Sequence, residues 1–219
     1  MTSIVVSAAP QAGRIIHSLD CVAEGAVWLC QAEPRFATAM AQCGPLPLRR
    51  RTDGFAQLLS AIVSQQVSVA SANAIWKRLQ AARLTGPRKI KWASDEDLRA
   101  AGLSRQKIRY ARALSEAGID FKALRDKPTH DVVTILTEVS GIGIWTAEIY
   151  AMFSLGRADV FAPGDLALQE AARHLFELEK RPSEKELRSL AEEWSPWRSV
   201  AARILWAYYH VVKDREGIR

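Results

Sequence analysis

Apolar residues return every three or four positions along most of this chain, the spacing that lines one face of an α-helix. Leu19, Val22, Ala26 and Leu29 make one stripe, and Phe36 with Met40 begins a second. Phe55, Leu58, Leu59, Ile62 and Val63 form a third, and Val69, Ala72, Ile75, Trp76 and Leu79 a fourth. Strand-type alternation is missing apart from a weak "SIVV" near the N-terminus. Helix signals sit where the stripes need them. Ser94, Ser104 and Thr129 precede periodic segments, "SEKE" at Ser183 has the form of a capping box, and Pro196 can open the last helix. Gly102 and Gly118 read as C-terminal stops. The expectation is an all-α protein of roughly ten helices.

The strongest breaks, Cys43–Gly54 and Gly156–Asp165, bracket a central helical block. We therefore expect an N-terminal tail over 1–16 and a central lobe over 51–156. Segments 17–50 and 157–219 would pack together as a second lobe, leaving a cleft between the two. Several classes are disfavoured by composition. No apolar run approaches a membrane span, and the opening residues do not read as a secretory signal. Cys21, Cys30 and Cys43 are an odd set without metal or disulfide spacing, and the four histidines lie far apart. A net charge of +6 suits a polyanion partner. Its basic residues cluster at Leu48–Arg51, Gly86–Lys91 and Ser104–Arg112, which could track a phosphate backbone or simply be solvated.

The segment "THDVVTILTEVSGIGIWTAEIYAMFSL" carries two helical stripes joined by Gly141-Ile142-Gly143. So tight a reversal calls for glycine backbone angles, and Ile142 can plug the space between the helices. The turn leaves unpaired N–H groups and a positive dipole end at the start of the second helix, a phosphate site by construction. A plain αα-hairpin would use the same turn.

The residues "LTEVSGIGIWTA" resemble the helix-hairpin-helix of the DNA glycosylase superfamily named for that hairpin and a Gly/Pro-rich loop ending in aspartate. "VFAPGD" supplies the loop, with Asp165 22 positions after Gly143. Segments Asp53–Ile75, Gly102–Ala117 and Trp194–Tyr209 also match in order. Within the superfamily the chain is most similar to AlkA-type 3-methyladenine-DNA glycosylases, although a preceding β-containing domain looks absent.

The resemblance implies an enzyme that flips a damaged purine out of double-stranded DNA and hydrolyses its N-glycosidic bond, starting base-excision repair. Asp165 would be the catalytic carboxylate, although Asp before a helix is also a common N-cap. Trp145 and Trp206 would wall the base pocket, whose aromatic faces attract an electron-poor or cationic alkylpurine. Bifunctional members carry lysine where this chain has Trp145, so strand cleavage is not expected. Gly141, Ile142, Gly143 and Thr146 would contact DNA, and Gln66 would fill the gap left by the flipped nucleotide. The carbonyls of Thr137, Val139 and Ile142 would hold Na⁺ or K⁺. No other cofactor is implied, and no cysteine follows Cys43 to hold an iron–sulfur cluster. A monomer in the bacterial cytosol or nucleoid is expected. Two alternatives stay open, a glycosylase for deaminated bases such as hypoxanthine or uracil, and a non-catalytic DNA-binding hairpin protein.

Overall fold

A computed structural model describes residues 12–215. Twelve α-helices span the described residues: α1 (Leu19–Ala32), α2 (Pro34–Gln42), α3 (Phe55–Ser64), α4 (Val69–Ala81), α5 (Pro87–Trp92) and α6 (Asp95–Ala100). They continue with α7 (Arg105–Glu116), α8 (Thr129–Thr137), α9 (Ile144–Tyr150), α10 (Leu166–Leu175), α11 (Glu184–Leu190) and α12 (Arg198–Arg215). A π-helical turn, Ala151–Leu155, extends α9. Within these residues the only strand-like pairing is one bridge between Ile15 and Arg157. The fold is all-α, as the periodicity requires.

Local chemistry sets most helix ends. Ser94 and Ser183 each close a capping box, with Asp97 and Glu186, and Ser104 caps α7 through the Lys107 N–H. Gly102 and Gly118 follow α6 and α7 in left-handed backbone, at φ 102° and 61°. Two ends differ from expectation. Thr129 is the first residue of α8, with Pro128 at the cap position. The last helix begins at Arg198 rather than at Pro196, because the Trp197 N–H turns back to the Trp194 carbonyl at 2.8 Å.

Helices α1 and α2 pack on α12, and α10 lies between α12 and α2. Phe36, Phe176 and Trp194 fill this group, with Trp194 stacked on Phe176 at 5.6 Å and Phe36 edge-on to both. In the middle of the chain α3 packs on α4, α7 and α9, α5 on α7, and α8 on α9. Buried Arg157 ties in the connection before α8, donating to the carbonyls of Leu124, Arg125 and Lys127.

The expected tail is shorter than residue 16. Ile16 is fully buried, its N–H donates to Gly156 O at 2.7 Å, and the Ala158 N–H donates to Arg14 O at 2.9 Å. Apolar burial and backbone pairing hold this stretch against the segment after α9. The remainder of the expected tail, residues 1–11 with "SIVV", lies outside the described residues.

Candidate active site

The joint between α8 and α9 is built around one glycine that the backbone requires and one that it does not. Gly141 has φ 93°, and a Cβ there would lie 2.6 Å from Tyr110 Cδ2 and 2.7 Å from Tyr110 Cβ. Both the angle and the ring exclude a side chain. Gly143 sits at φ −87° and ψ 170° as the cap residue of α9, and a Cβ on it would meet nothing within 4 Å. The expectation that both glycines serve the reversal is therefore corrected. Gly143 leaves open space in front of the first turn of α9, while any L-residue could adopt its angles.

Ile142 plugs the hairpin as expected: it is 4% exposed, and its N–H donates to the Val139 carbonyl at 3.0 Å. Its side chain is thus committed to the core, leaving only its backbone to face a ligand. Thr146 is 8% exposed and borders a cavity shared with residues of α3, so what it presents is the cavity wall and not the outer face of the hairpin. Gln66 is exposed, in left-handed backbone at φ 55°. Its neighbour Gln65 fastens the hairpin, donating Nε2–H to the Gly141 carbonyl at 2.8 Å. Gln65, Gln66, Tyr110 and Gly141 to Gly143 line one groove, so residues 76 positions apart share a surface.

Twenty residues past Trp145, the Asp165 carboxylate gathers donors from three elements. Oδ1 accepts the Ala167 and Leu168 N–H groups at 3.0 and 3.2 Å and Trp206 Nε1–H at 3.2 Å. Oδ2 accepts Trp145 Nε1–H at 3.1 Å. Four donors and no acceptor suit an ionised carboxylate, which can only accept. The start of α10 adds its positive dipole end. Asp165 is thus an N-cap and the meeting point of two distant tryptophans at once, and the two readings of this residue do not compete. The preceding loop is pinned by Asp165 N–H to Ala162 O at 3.0 Å and Gln169 Nε2–H to Pro163 O at 2.8 Å. With Oδ1 taking three donors and Oδ2 one, Oδ2 keeps the spare accepting capacity, beside a Trp145 ring that is 45% exposed.

Residues 59–196 match the HhH-GPD family, described as HhH-GPD superfamily base excision DNA repair protein. The chain belongs to the HhH-GPD superfamily. Its relatives include proteins named 3-methyladenine DNA glycosylases. It is 31% identical over 165 residues to DNA-3-methyladenine glycosylase 1 of Schizosaccharomyces pombe, covering 71% of this chain and 72% of that one. Among solved structures, the DNA-3-methyladenine glycosidase of Bacillus halodurans superposes with a TM-score of 0.78 at 34% identity, covering 85% of this chain and 89% of that one. The Schizosaccharomyces pombe 3-methyladenine DNA glycosylase in complex with abasic DNA gives 0.72 at 28% identity, covering 84% and 95%.

In this HhH-GPD chain a cavity of about 270 Å³ opens between α3 and α9, bordered by Trp145, Thr146, Tyr150, Gln57, Ser60 and Arg51. That volume is near the low end for small-ligand sites. Burial pushes the Tyr150 phenol up to about 12, so it is protonated at neutral pH. Its oxygen accepts the Gly54 N–H at 2.7 Å and keeps its own proton to donate. Sequence reasoning missed Tyr150, although its place four residues after Thr146 puts both on one helical face. Gln65 is structural, fastening the hairpin through a carbonyl far away in sequence, a partner for which no local signal exists. Behind Trp206, Phe153 lies 5.7 Å away at a 32° tilt. No helix among the described residues is long and apolar enough to cross a membrane.

Proposed function

We propose that this HhH-GPD protein is a monofunctional DNA glycosylase that releases alkylated purines such as 3-methyladenine and 7-methylguanine from double-stranded DNA. The observation that carries the reading is the convergence of Trp145 and Trp206 on the two oxygens of Asp165. Similarity to enzymes named 3-methyladenine glycosylases supports the substrate class.

The duplex would seat a backbone phosphate on the open face of Gly143 and the first N–H groups of α9. The flipped base would enter beside Trp145, where aromatic faces attract an electron-poor or cationic ring. As the C1′–N bond breaks, its electron pair leaves with the base and positive charge develops on the sugar. Asp165 Oδ2 stabilises that charge, and its orientation is set by four N–H donors before the reaction begins. Water then bonds to C1′ and loses a proton to solvent or to the carboxylate. An alkylated base departs readily without prior protonation, so no strong acid is needed. Trp145 has no nucleophilic amine, so an abasic site would remain with the strand intact.

Carbonyls of Thr137, Val139 and Ile142 would hold Na⁺ or K⁺. The donor set fits a hard monovalent ion, since all three are neutral backbone oxygens of one hairpin and Gln65 occupies the neighbouring Gly141 carbonyl instead. When bound, the ion would bridge the hairpin to a phosphate. We assign Gln66 the gap left by the flipped nucleotide, on the strength of its exposure beside the hairpin groove. The protein would act as a monomer in the bacterial cytosol or nucleoid.

The test is release of free bases from methylated DNA, with strand integrity followed on denaturing gels. Wild type is expected to release alkylated purines and leave the strand uncut, and Asp165→Asn to lose release. No release by wild type overturns the substrate class; equal release by Asp165→Asn overturns the role of the carboxylate.

A further inference from the structure

Three consecutive arginines, Arg49 to Arg51, precede α3, and they divide between two tasks. Arg50, although exposed, commits its guanidinium to the protein, donating to the Phe153 carbonyl at 3.3 Å. Its guanidinium lies against Gly156, whose φ of 77° and the Ile16 carbonyl 2.9 Å from a would-be Cβ disfavour a side chain there. Arg49 and Arg51 are exposed and make no ion pair among the described residues. Their guanidinium groups lie over the aromatic pair behind Asp165, Arg49 at 5.9 Å from the Trp206 ring and Arg51 at 5.9 Å from Phe153. Arg51 also borders the cavity that holds Trp145.

A third cation stands behind them. Arg203 is 1% exposed, sits 4.9 Å over the Phe153 ring, and donates to the Leu48 and Ser199 carbonyls. Its buried Nε–H has no partner. Burial first of all, and then the nearby charges of Arg49 and Arg50, bring Arg203 down to about 10. The nearest carboxylate on this stretch, Asp53, is held by Arg125 through two bonds of 2.7 and 3.0 Å. Arg49 reaches its position from left-handed backbone at φ 51°, a conformation that residues with a side chain rarely adopt. Positive charge is thus gathered around the Trp206–Phe153 pair beside the Asp165 site.

Resting on the function proposed above, we propose that Arg49 and Arg51 clamp a DNA backbone phosphate adjoining the flipped nucleotide, as a second anchor independent of the hairpin. Two exposed guanidinium groups that lie over aromatic rings and have no carboxylate partner keep their N–H forks for a phosphodiester. The aromatic rings hold them beside the Asp165 site, with Arg51 at the border of the cavity. Anchoring on both sides of the flipped nucleotide would keep its sugar against Asp165 Oδ2 instead of leaving it to swing about one contact.

The experiment measures binding to duplex DNA containing a tetrahydrofuran abasic analogue, as a function of salt, for wild type, Arg49→Gln, Arg51→Gln and Arg51→Lys. A parallel probe carries one neutral methylphosphonate at each phosphate flanking the analogue. Each Gln variant should lower the magnitude of the log–log salt slope by about 0.9, and Lys should restore it. One methylphosphonate should weaken wild type while costing the Gln variants nothing further. Unchanged slopes, or an equal methylphosphonate penalty in all proteins, overturn the clamp. So does unaltered binding combined with faster release of cationic bases only, since the arginines would then screen base charge. Thermal melting of each variant confirms that it is folded. Base release by wild type in the same preparation separates failure of the clamp from failure of the glycosylase reading.

Discussion

Gly141→Ala should separate a glycine required for folding from Gly143, which is left open. At position 141 a methyl group meets two costs. The first is backbone strain at φ 93°, about 1–2 kcal/mol for an L-residue. The second is overlap with Tyr110, whose Cδ2 and Cβ lie 2.6 and 2.7 Å from the added carbon and whose Cγ is nearer still. Such crowding of a packed ring adds about 1–3 kcal/mol. A total near 3 kcal/mol corresponds to a fall in melting temperature of about 6–12 °C for a chain of this size. Gly143→Ala meets neither cost, since its φ is −87° and the space is empty, so its melting temperature should stay within about 2 °C of wild type. The assay is thermal unfolding by circular dichroism, repeated in a Tyr110→Ala background. Removing the ring should relieve the Cγ and Cδ2 overlap and leave the contact with Cβ and the backbone part. If Gly141→Ala melts with wild type, or Gly143→Ala falls as far, the account of the hairpin is wrong.

Trp145→Phe keeps an aromatic face and removes the N–H that Asp165 Oδ2 accepts. Single-turnover base release should slow about tenfold, the low end of a charge-assisted hydrogen bond at about 1.5 kcal/mol, with DNA affinity little changed. An unchanged rate would show that the tryptophan acts by stacking alone. Acid stability should report on Asp53, whose carboxyl is held below its ordinary value of 3.8 mainly by the hydrogen-bonded Arg125 guanidinium. With the folded value depressed, the stabilisation is present above about pH 3.8 and lost as pH falls through the folded value. The stability gap between wild type and Asp53→Asn, followed by urea unfolding, should therefore close on the acid side. A gap that widens on acidification would refute the sign.

Most of the secondary structure was legible because it is decided locally. Ser94, Ser104 and Ser183 cap helices through N–H groups within three residues, and Gly102 and Gly118 end helices through their own backbone angles. Asp165 was legible through its spacing from the hairpin. The site around it was less so. Gln65 outranks its neighbour Gln66 as the fastener of the hairpin because it meets a carbonyl 76 positions away. Thr146 turns inward because α9 lays that face on α3.

The sequence by itself determined an all-α chain, its main breaks, and a carboxylate at the head of a helix, since periodicity, capping and glycine angles act over a few residues. Only the tertiary structure decided that Trp145 from α9 and Trp206 from α12 would point their N–H groups at Asp165. It also decided that Arg49 and Arg51 would lie over the aromatic pair beside it. Those contacts join residues between 20 and 157 positions apart, by the numbering of Trp145 to Asp165 and Arg49 to Trp206. Such pairs meet only because the core places their helices side by side, and no short-range pattern in the chain encodes that placement.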